Sequence, residues 1–233
     1  MNIERLAFSD RTISLVDSRV ATAVSNILRL TTFSAAAEPI TQSLGASMAT
    51  GASYTDAIGQ VAKAALSTSS VAVMSYQFFT GKTPTGAGLE YLLHAADSIN
   101  ANDLSDPYYQ KFNTQNRYIN FAVNLTSPQG EARAWFEKAY GKLTMEQTIA
   151  KAYAEIFGST PSDQKIDALL HADVGGGMTR QGYFELFAGS ELGSKAALIG
   201  WLMAQAVVED TGRYAKANDA FLADFADGNA KLN

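Results

Sequence analysis

A pattern of 20 residues occurs twice in the chain, 77 positions apart, and this repeat restricts the fold more than any other feature of the sequence. Residues 76–95 align without gaps with residues 153–172, and eight of the 20 positions are identical. In each copy an aromatic segment ends at glycine, and a Thr-Pro pair (83–84 and 160–161) follows. This order predicts a helix, a turn at the glycine and a second helix capped by the threonine. Such a corner cannot bury its apolar face alone, so we expect the units to stack.

Helical periodicity extends this prediction to the rest of the chain. Apolar residues within 13–30 recur at spacings of three and four, which predicts an amphipathic helix capped by Ser9 or Asp10. The longest uncharged apolar run, Ala196–Val208, predicts a buried helix. We find no sustained alternation of apolar and polar residues, so a sheet is not expected. The sequence therefore predicts an all-α fold of ten or eleven short helices, arranged as a solenoid-like array of stacked helix–turn–helix units.

The chain divides into two regions by composition. Residues 1–66 are rich in Ser, Thr and Ala and contain no Trp, which indicates a separate N-terminal helical segment. Residues 67–233 form a repeat-containing helical domain, with copies at about 76–152 and 153–229.

Charge and composition exclude several classes of function. The net charge of −5, the pI near 5.0 and the lack of a basic block argue against a nucleic-acid partner. The chain has no Cys, which excludes disulfides, thiolate metal sites and cysteine nucleophiles. No apolar run reaches the roughly 20 residues of a membrane span, so we expect no insertion into the bilayer. The N-terminal residues lack the apolar segment of a Sec signal peptide.

Only two histidines are present, and both fall on the same repeat position. His94 and His171, with Asp97 and Asp173 nearby, could bind a metal or transfer protons. Alternatively, each histidine ends a docking helix and bonds to a turn carbonyl or helix end in its own copy. We favour the structural role and predict no catalytic residue, no metal site, no cofactor and no enzymatic activity. Three aspartates could contribute to calcium binding, but no binding-loop motif supports this: Asp103, Asp106 and Asp173.

Asparagine recurs along a predicted helix that begins near Pro107 and continues to Leu125. On a helical wheel four asparagines fall within about 80° of one another, with Arg117 alongside: Asn113, Asn116, Asn120 and Asn124. Each Asn costs a helix about 0.6 kcal/mol relative to Ala, so the pattern needs a reason. Either the amides form a buried hydrogen-bonded ladder, or they face a groove that binds hydroxyl-rich ligands. The residues alone leave both explanations open.

Five segments resemble the N-terminal, cell-surface-anchoring domain of Caulobacter S-layer proteins. The resemblance extends from about Val71 to Val208, is strongest over 76–125, and is weaker in residues 1–66. The segments that carry it are YQFFTG (76–81), GLEYLL (88–93), NDLSDPYYQKF (102–112), NRYINFAVNL (116–125) and QTIAKAYAEIFG (147–158). The segment AALIG (196–200) is similar as well.

The resemblance implies an all-helical module that binds the O-polysaccharide of lipopolysaccharide. Such a module attaches its owner to the outer-membrane surface from outside the cell without entering the bilayer. Export by type I secretion would account for the missing signal peptide. The chain carries no glycine–aspartate calcium repeats, so we do not expect it to form a lattice by itself.

The resemblance favours the groove explanation of the asparagines, and we predict a site for neutral, deoxy-amino sugars. The predicted glycan contacts are Tyr108, Tyr109, Asn113, Asn116, Arg117 and Asn120, with weaker candidates at Gln77, Lys82 and Asn102. The alternative hypothesis is a helical scaffold that docks the S-layer protein or another copy of this chain.

Overall fold

The computed structural model describes residues 5–7, 12–14, 34–66, 69–82, 84–85, 88, 91–92, 111–127 and 130–226. Helices dominate this part of the chain, which confirms the predicted all-α class. Ten helices have both ends within the described ranges: α1 (Ser34–Ala49), α2 (Tyr54–Ala64), α3 (Ser69–Thr80), α4 (Thr114–Thr126), α5 (Glu131–Tyr140), α6 (Met145–Phe157), α7 (Asp163–His171), α8 (Arg180–Ala188), α9 (Glu191–Val208) and α10 (Gly212–Ala226).

The N-terminal residues depart from the helical prediction. Strand β1 (Arg5–Ala7) pairs antiparallel with strand β2 (Thr12–Ser14), and Leu6 lies opposite Ile13. Residues 12–14 were expected in a helix capped by Ser9 or Asp10, and that prediction is wrong for this segment. Thr12 and Ile13 are β-branched residues, which favour a strand over a helix. The rest of the predicted helix, residues 15–30, lies outside the described residues.

Helix α9 is the centre of the fold, and it is buried as its sequence predicts. It packs against α3, α4, α5, α6, α8 and α10. Ser190 caps its start, and the side-chain oxygen accepts a hydrogen bond from the Gly193 N–H at 3.1 Å. Of the apolar run from Ala196 to Val207, only Gln205 is not buried. Six helices thus pack around one buried helix, and the predicted solenoid-like stacking is not confirmed.

The 77-residue repeat is visible in the helix boundaries and in the packing. A shift of 77 brings α3 onto α6, α4 onto the first 13 residues of α9, and α5 onto the start of α10. We call α3, α4 and α5 the first unit and α6, α9 and α10 the second unit. Within each unit every helix contacts the other two, and α4 and α9 form the main contact between the units.

The α4–α9 contact depends on a glycine where the two helices cross. A Cβ added to Gly200 would lie 2.5 Å from the Tyr118 carbonyl oxygen and 2.9 Å from the Ile119 Cα. The absence of a side chain therefore lets the backbones of α4 and α9 touch. This close approach fixes how α4 sits on the core.

The corner at Gly158 shows which part of the predicted turn is correct. Gly81 and Gly158 both end their aromatic helices with a positive φ, 68° and 80°, as the repeat predicts. The residue that caps the second helix, α7, is not the predicted Thr160. The hydroxyl of Ser162 accepts the hydrogen bond from the Lys165 N–H. Thr85 occupies the same repeat position and caps Gly88 in the same way, at 3.0 Å. The cap is therefore the residue after proline, not the one before it.

Candidate functional site

The asparagine-rich helix begins later than its sequence predicts. Helix α4 starts at Thr114, and Asn113 is its N-cap, with its side-chain oxygen accepting the Asn116 N–H at 2.8 Å. A start near Pro107 is not observed within the described residues, where Lys111 and Phe112 are turn and bend. Asn is among the best N-cap residues because its side chain satisfies one free N–H of the first turn. Asn113 thus has a structural task in addition to any contact with a ligand.

One side of α4 is sealed against the core. Its buried residues are Arg117, Tyr118, Ile119, Phe121, Ala122 and Thr126. The Tyr118 hydroxyl donates to the Met74 sulfur of α3 at 3.3 Å, and burial raises the pKa of this phenol well above its usual value. Because side chains four apart share one side of a helix, Asn116, Asn120 and Asn124 lie together on the opposite side. We call this side of α4, with the exposed cap Asn113, the amide face.

The amide face is open to solvent in part. Asn113 is exposed, and Asn116, Asn120 and Asn124 are half-buried. Within the part of the chain that the structure describes, the side-chain amides of Asn116 and Asn120 make no hydrogen bond. These amides are therefore not members of a sealed ladder.

The side of α9 that the repeat makes equivalent to the amide face is covered instead of open. A shift of 77 takes Asn116, Asn120 and Asn124 to small or apolar residues, and all three of these are buried: Gly193, Ala197 and Trp201. Helix α8 covers this side of α9, and its Arg180 guanidinium lies 4.0 Å from the centre of the Trp201 ring. At these three repeat positions the chain therefore has small or apolar residues in α9, where they are buried, and asparagines in α4, where they are partly exposed.

Arg117 is anchored at the edge of the amide face rather than extended into it. Its side chain is 7% exposed, and its Nε donates to the Phe112 carbonyl oxygen at 3.1 Å. Burial lowers the pKa of this guanidinium from its ordinary value. We therefore assign Arg117 to fixing the backbone that leads into α4.

Gln77 and Lys82 lie at a different place, the end of α3. Gln77 is half-buried, and its main-chain carbonyl oxygen accepts a hydrogen bond from the Gly81 N–H at 2.9 Å. Lys82 is exposed and forms an ion pair with Glu131 in the first turn of α5, which raises the pKa of Lys82. The structure thus groups the predicted residues Asn113, Asn116, Arg117 and Asn120 on α4 and puts these two at the corner between α3 and α5. The other predicted contacts, Asn102, Tyr108 and Tyr109, lie outside the described residues.

His171 does not bond in the predicted way. It is the last residue of α7, as expected, but its Nδ1 lies 2.8 Å from the Asp167 carboxylate one turn earlier and not on a carbonyl. The side chain is half exposed, and His94 lies outside the described residues. Asp173 accepts the Gly175 N–H at 2.7 Å and so closes its own turn. Among the described residues no three His, Asp or Glu side chains are grouped as metal ligands would be.

Sequence reasoning missed two residues of the α3–α5 corner, Trp135 and Glu131. They are four apart on α5. Glu131 pairs with Lys82 across 49 positions of chain, and Trp135 lies against Gly81. Only their helical spacing could have suggested a shared face.

None of the helices in the described ranges combines the length and the hydropathy that a bilayer crossing requires.

Comparison with known protein families shows which family the chain belongs to. The family model described as the RsaA N-terminal domain matches residues 68–233, which is more than two thirds of the chain. The chain belongs to the RsaA N-terminal domain family. This match confirms the resemblance to the N-terminal domain of the Caulobacter S-layer protein. Membership gives the chain an S-layer-related role at the cell surface, in a family of structural and anchoring domains rather than enzymes. A search of curated proteins gave no match.

Proposed function

We propose that this protein is a non-catalytic anchor that binds the O-polysaccharide of lipopolysaccharide through the amide face of α4. It would hold its owner at the outer-membrane surface from outside, without entering the bilayer. The observation that carries the proposal is the pair Asn116 and Asn120. Both are half-buried, and their amides make no hydrogen bond to the described residues.

The chemistry of the amide face suits a neutral sugar. Each Asn side chain supplies one carbonyl acceptor and two N–H donors, which match hydroxyl and N-acyl groups. Arg117 is the one charged residue of α4, and its guanidinium is already buried against the backbone. The face therefore offers hydrogen bonds without net charge, and an uncharged deoxy-amino sugar is the ligand that fits it best.

The affinity of a single site for one sugar unit should be weak. A net contribution of about 1 kcal/mol for each hydrogen bond gives little affinity from a few amides. A polysaccharide repeats its sugar units, so several anchors on one surface, or several contacts on one chain, raise the overall affinity through avidity.

The test is a binding titration of purified O-polysaccharide against the variant Asn116→Ala/Asn120→Ala. Loss of two hydrogen bonds, about 2 kcal/mol in total, predicts roughly a 30-fold weaker affinity. Gln115→Ala is the matched control, because Gln115 is an amide of the same helix that instead faces Gln205 of α9 at 3.4 Å. The control should bind like the wild type. Unchanged binding by the double variant would refute the site.

Stability separates this proposal from a structural role for the asparagines. Asn is a poorer helix former than Ala by about 0.6 kcal/mol, so the double variant should be about 1 kcal/mol more stable towards urea. If the asparagines held helices together, the double variant would be less stable than the wild type, because their removal would leave buried polar groups unpaired.

A second candidate function is a scaffold that docks the S-layer protein or another copy of this chain. It is favoured by apolar side chains exposed on α8 and on the turn before it: Val174, Met178, Leu186 and Phe187. Light scattering without polysaccharide tests it, since a self-assembling scaffold forms oligomers in the absence of sugar and an anchor does not need to.

A further inference from the structure

We infer that the corner between α3 and α5 is a second sugar contact, in which the indole of Trp135 is the stacking platform and Lys82 and Glu131 are the polar partners. The ligand would be a pyranose unit of a neutral polysaccharide. This inference rests on the proposed function, because the same polysaccharide would reach both the corner and the amide face.

Four residues form the corner, two from each chain segment. Glu131 and Trp135 are one turn apart on α5, so their side chains lie on the same side of that helix. Across from them, Lys82 forms an ion pair with Glu131, and Gly81 lies against Trp135. A Cβ added to Gly81 would be 3.6 Å from the indole Nε1. The indole, the carboxylate and the ammonium are therefore neighbours on one surface.

The backbone of the corner is held in place. Gly81 has a φ of 68°, which few other residues adopt, and its N–H bonds to the Gln77 carbonyl oxygen at 2.9 Å. The Thr80 hydroxyl donates to the Tyr76 carbonyl oxygen at 2.7 Å and accepts the Lys82 N–H at 3.1 Å. A preformed corner loses little conformational entropy when a ligand binds.

The fold covers only part of the Trp135 side chain, which packs against the edge of the core. Its side chain is half-buried, and among the described residues it stacks on no other ring and its indole N–H donates to no acceptor. The next residue, Phe136, is fully buried, and its ring lies 4.8 Å from that of Phe79. The other tryptophan, Trp201, is 7% exposed beneath the Arg180 guanidinium. Trp201 is thus enclosed in the core, whereas Trp135 packs against the core with part of its ring and leaves the rest exposed, with an indole N–H that has no acceptor among the described residues.

The second unit lacks this chemistry at the equivalent positions. A shift of 77 takes Lys82 to Ser159, and it takes Glu131 and Trp135 to Val208 and Gly212. The glycine turn there, Gly158, faces the Arg213 side chain instead of an indole. A corner needed only for packing would be expected in both units. The corner with an indole and two opposite charges is found in the first unit and not at the equivalent positions of the second. The first unit is also the one that carries the amide face.

The three side chains match a neutral pyranose. The apolar face of the sugar ring covers the indole, and the indole N–H donates to a ring substituent. Lys82 supplies donors and Glu131 supplies acceptors for hydroxyl groups, and their opposite charges leave the corner with no net charge. Both side chains are about 60% exposed, so a sugar can reach them.

Tryptophan fluorescence of the full chain tests the inference without any substitution. Acrylamide should reach Trp135 more readily than Trp201, because Trp201 is buried and Trp135 is partly exposed. Saturation with purified O-polysaccharide should shift the emission to shorter wavelength and reduce acrylamide quenching at least twofold. Trp135→Leu should weaken binding of the long polysaccharide about tenfold, and Trp135→Phe should retain most of the affinity.

The controls separate this inference from the proposed function. Phe187→Leu removes another exposed ring, on α8, and should leave binding unchanged. If the wild type binds polysaccharide but its emission and quenching do not change, and Trp135→Leu binds like the wild type, the corner is not a contact and the amide face stands. If Asn116→Ala/Asn120→Ala binds normally while Trp135→Leu does not, the amide face is refuted and the corner stands. Absence of binding by the wild type refutes both.

Discussion

Replacing Gly200 by alanine should destabilise the protein, although alanine is the better helix former. Gly200 lies in the interior of α9, where Ala would ordinarily gain about 1 kcal/mol over Gly. The added methyl group, however, would lie 2.5 Å from the Tyr118 carbonyl oxygen and 2.9 Å from the Ile119 Cα. These are backbone atoms of α4, so no side chain can rotate away to make room.

The magnitude follows from these two opposing effects. The nearest contact, 2.5 Å, is about 0.8 Å shorter than the usual carbon–oxygen separation of about 3.3 Å, so α4 and α9 must move apart. Overpacking of a tight core costs about 1–3 kcal/mol, and the upper end applies where backbone has to shift. After the helix-propensity gain, we expect Gly200→Ala to lower the free energy of unfolding by about 2 kcal/mol. In a chain of this size that corresponds to a melting temperature about 4–8 °C lower.

Urea denaturation followed by far-ultraviolet circular dichroism measures this change. Gly59→Ala is the matched control, because Gly59 is exposed in α2 and an added Cβ would meet no atom within 4 Å. The control should be more stable than the wild type by about 0.5–1 kcal/mol. If Gly200→Ala were also stabilising, the direct contact between the backbones of α4 and α9 would be refuted.

Two further predictions concern the N-cap of α7 and the buried tyrosine side chains. Ser162→Ala should cost about 1 kcal/mol of unfolding free energy, while Thr160→Ala should cost much less, because Ser162 makes the capping bond; equal losses in urea titrations would contradict this assignment. Burial raises the pKa values of Tyr118, Tyr140 and Tyr214, and for Tyr140 the hydrogen bond to Glu155 at 2.7 Å adds to the effect. Because these folded pKa values lie above the unfolded value near 10, the phenols stabilise the fold fully below pH 10, and this contribution is lost as the pH rises further. Phenolate absorbance from these residues should therefore appear together with loss of helical signal, and ionisation before unfolding would argue against their burial.

Local patterns predicted those parts of the fold that depend on neighbouring residues. Ser53 with Asp56 and Thr144 with Gln147 have the spacing of a capping box, and both boxes form in the structure, because each needs only residues three apart. The buried helix α9 was predictable because its apolar run leaves no polar side to face water. The asparagines were placed on one side of α4 by the helical period alone.

Predictions failed where two local signals competed or where the contact was distant in sequence. Thr160 precedes proline and Ser162 follows it, and both types of residue can cap a helix, so only the structure shows that Ser162 does so. Asn113 was counted in the helix because the wheel does not distinguish a cap from the first turn. The pairing of Lys82 with Glu131 and the contact of Gly81 with Trp135 depend on how α5 packs against α3, which no spacing along the chain reveals.

The most direct measurement of the central claim is a nuclear magnetic resonance titration of protein with isotope-labelled asparagine. Side-chain amide signals would be followed as purified O-polysaccharide is added. The account predicts that the amides of Asn116 and Asn120 shift in a saturable way and that asparagines on other helices do not. Saturable binding that leaves these two amides unchanged would contradict it.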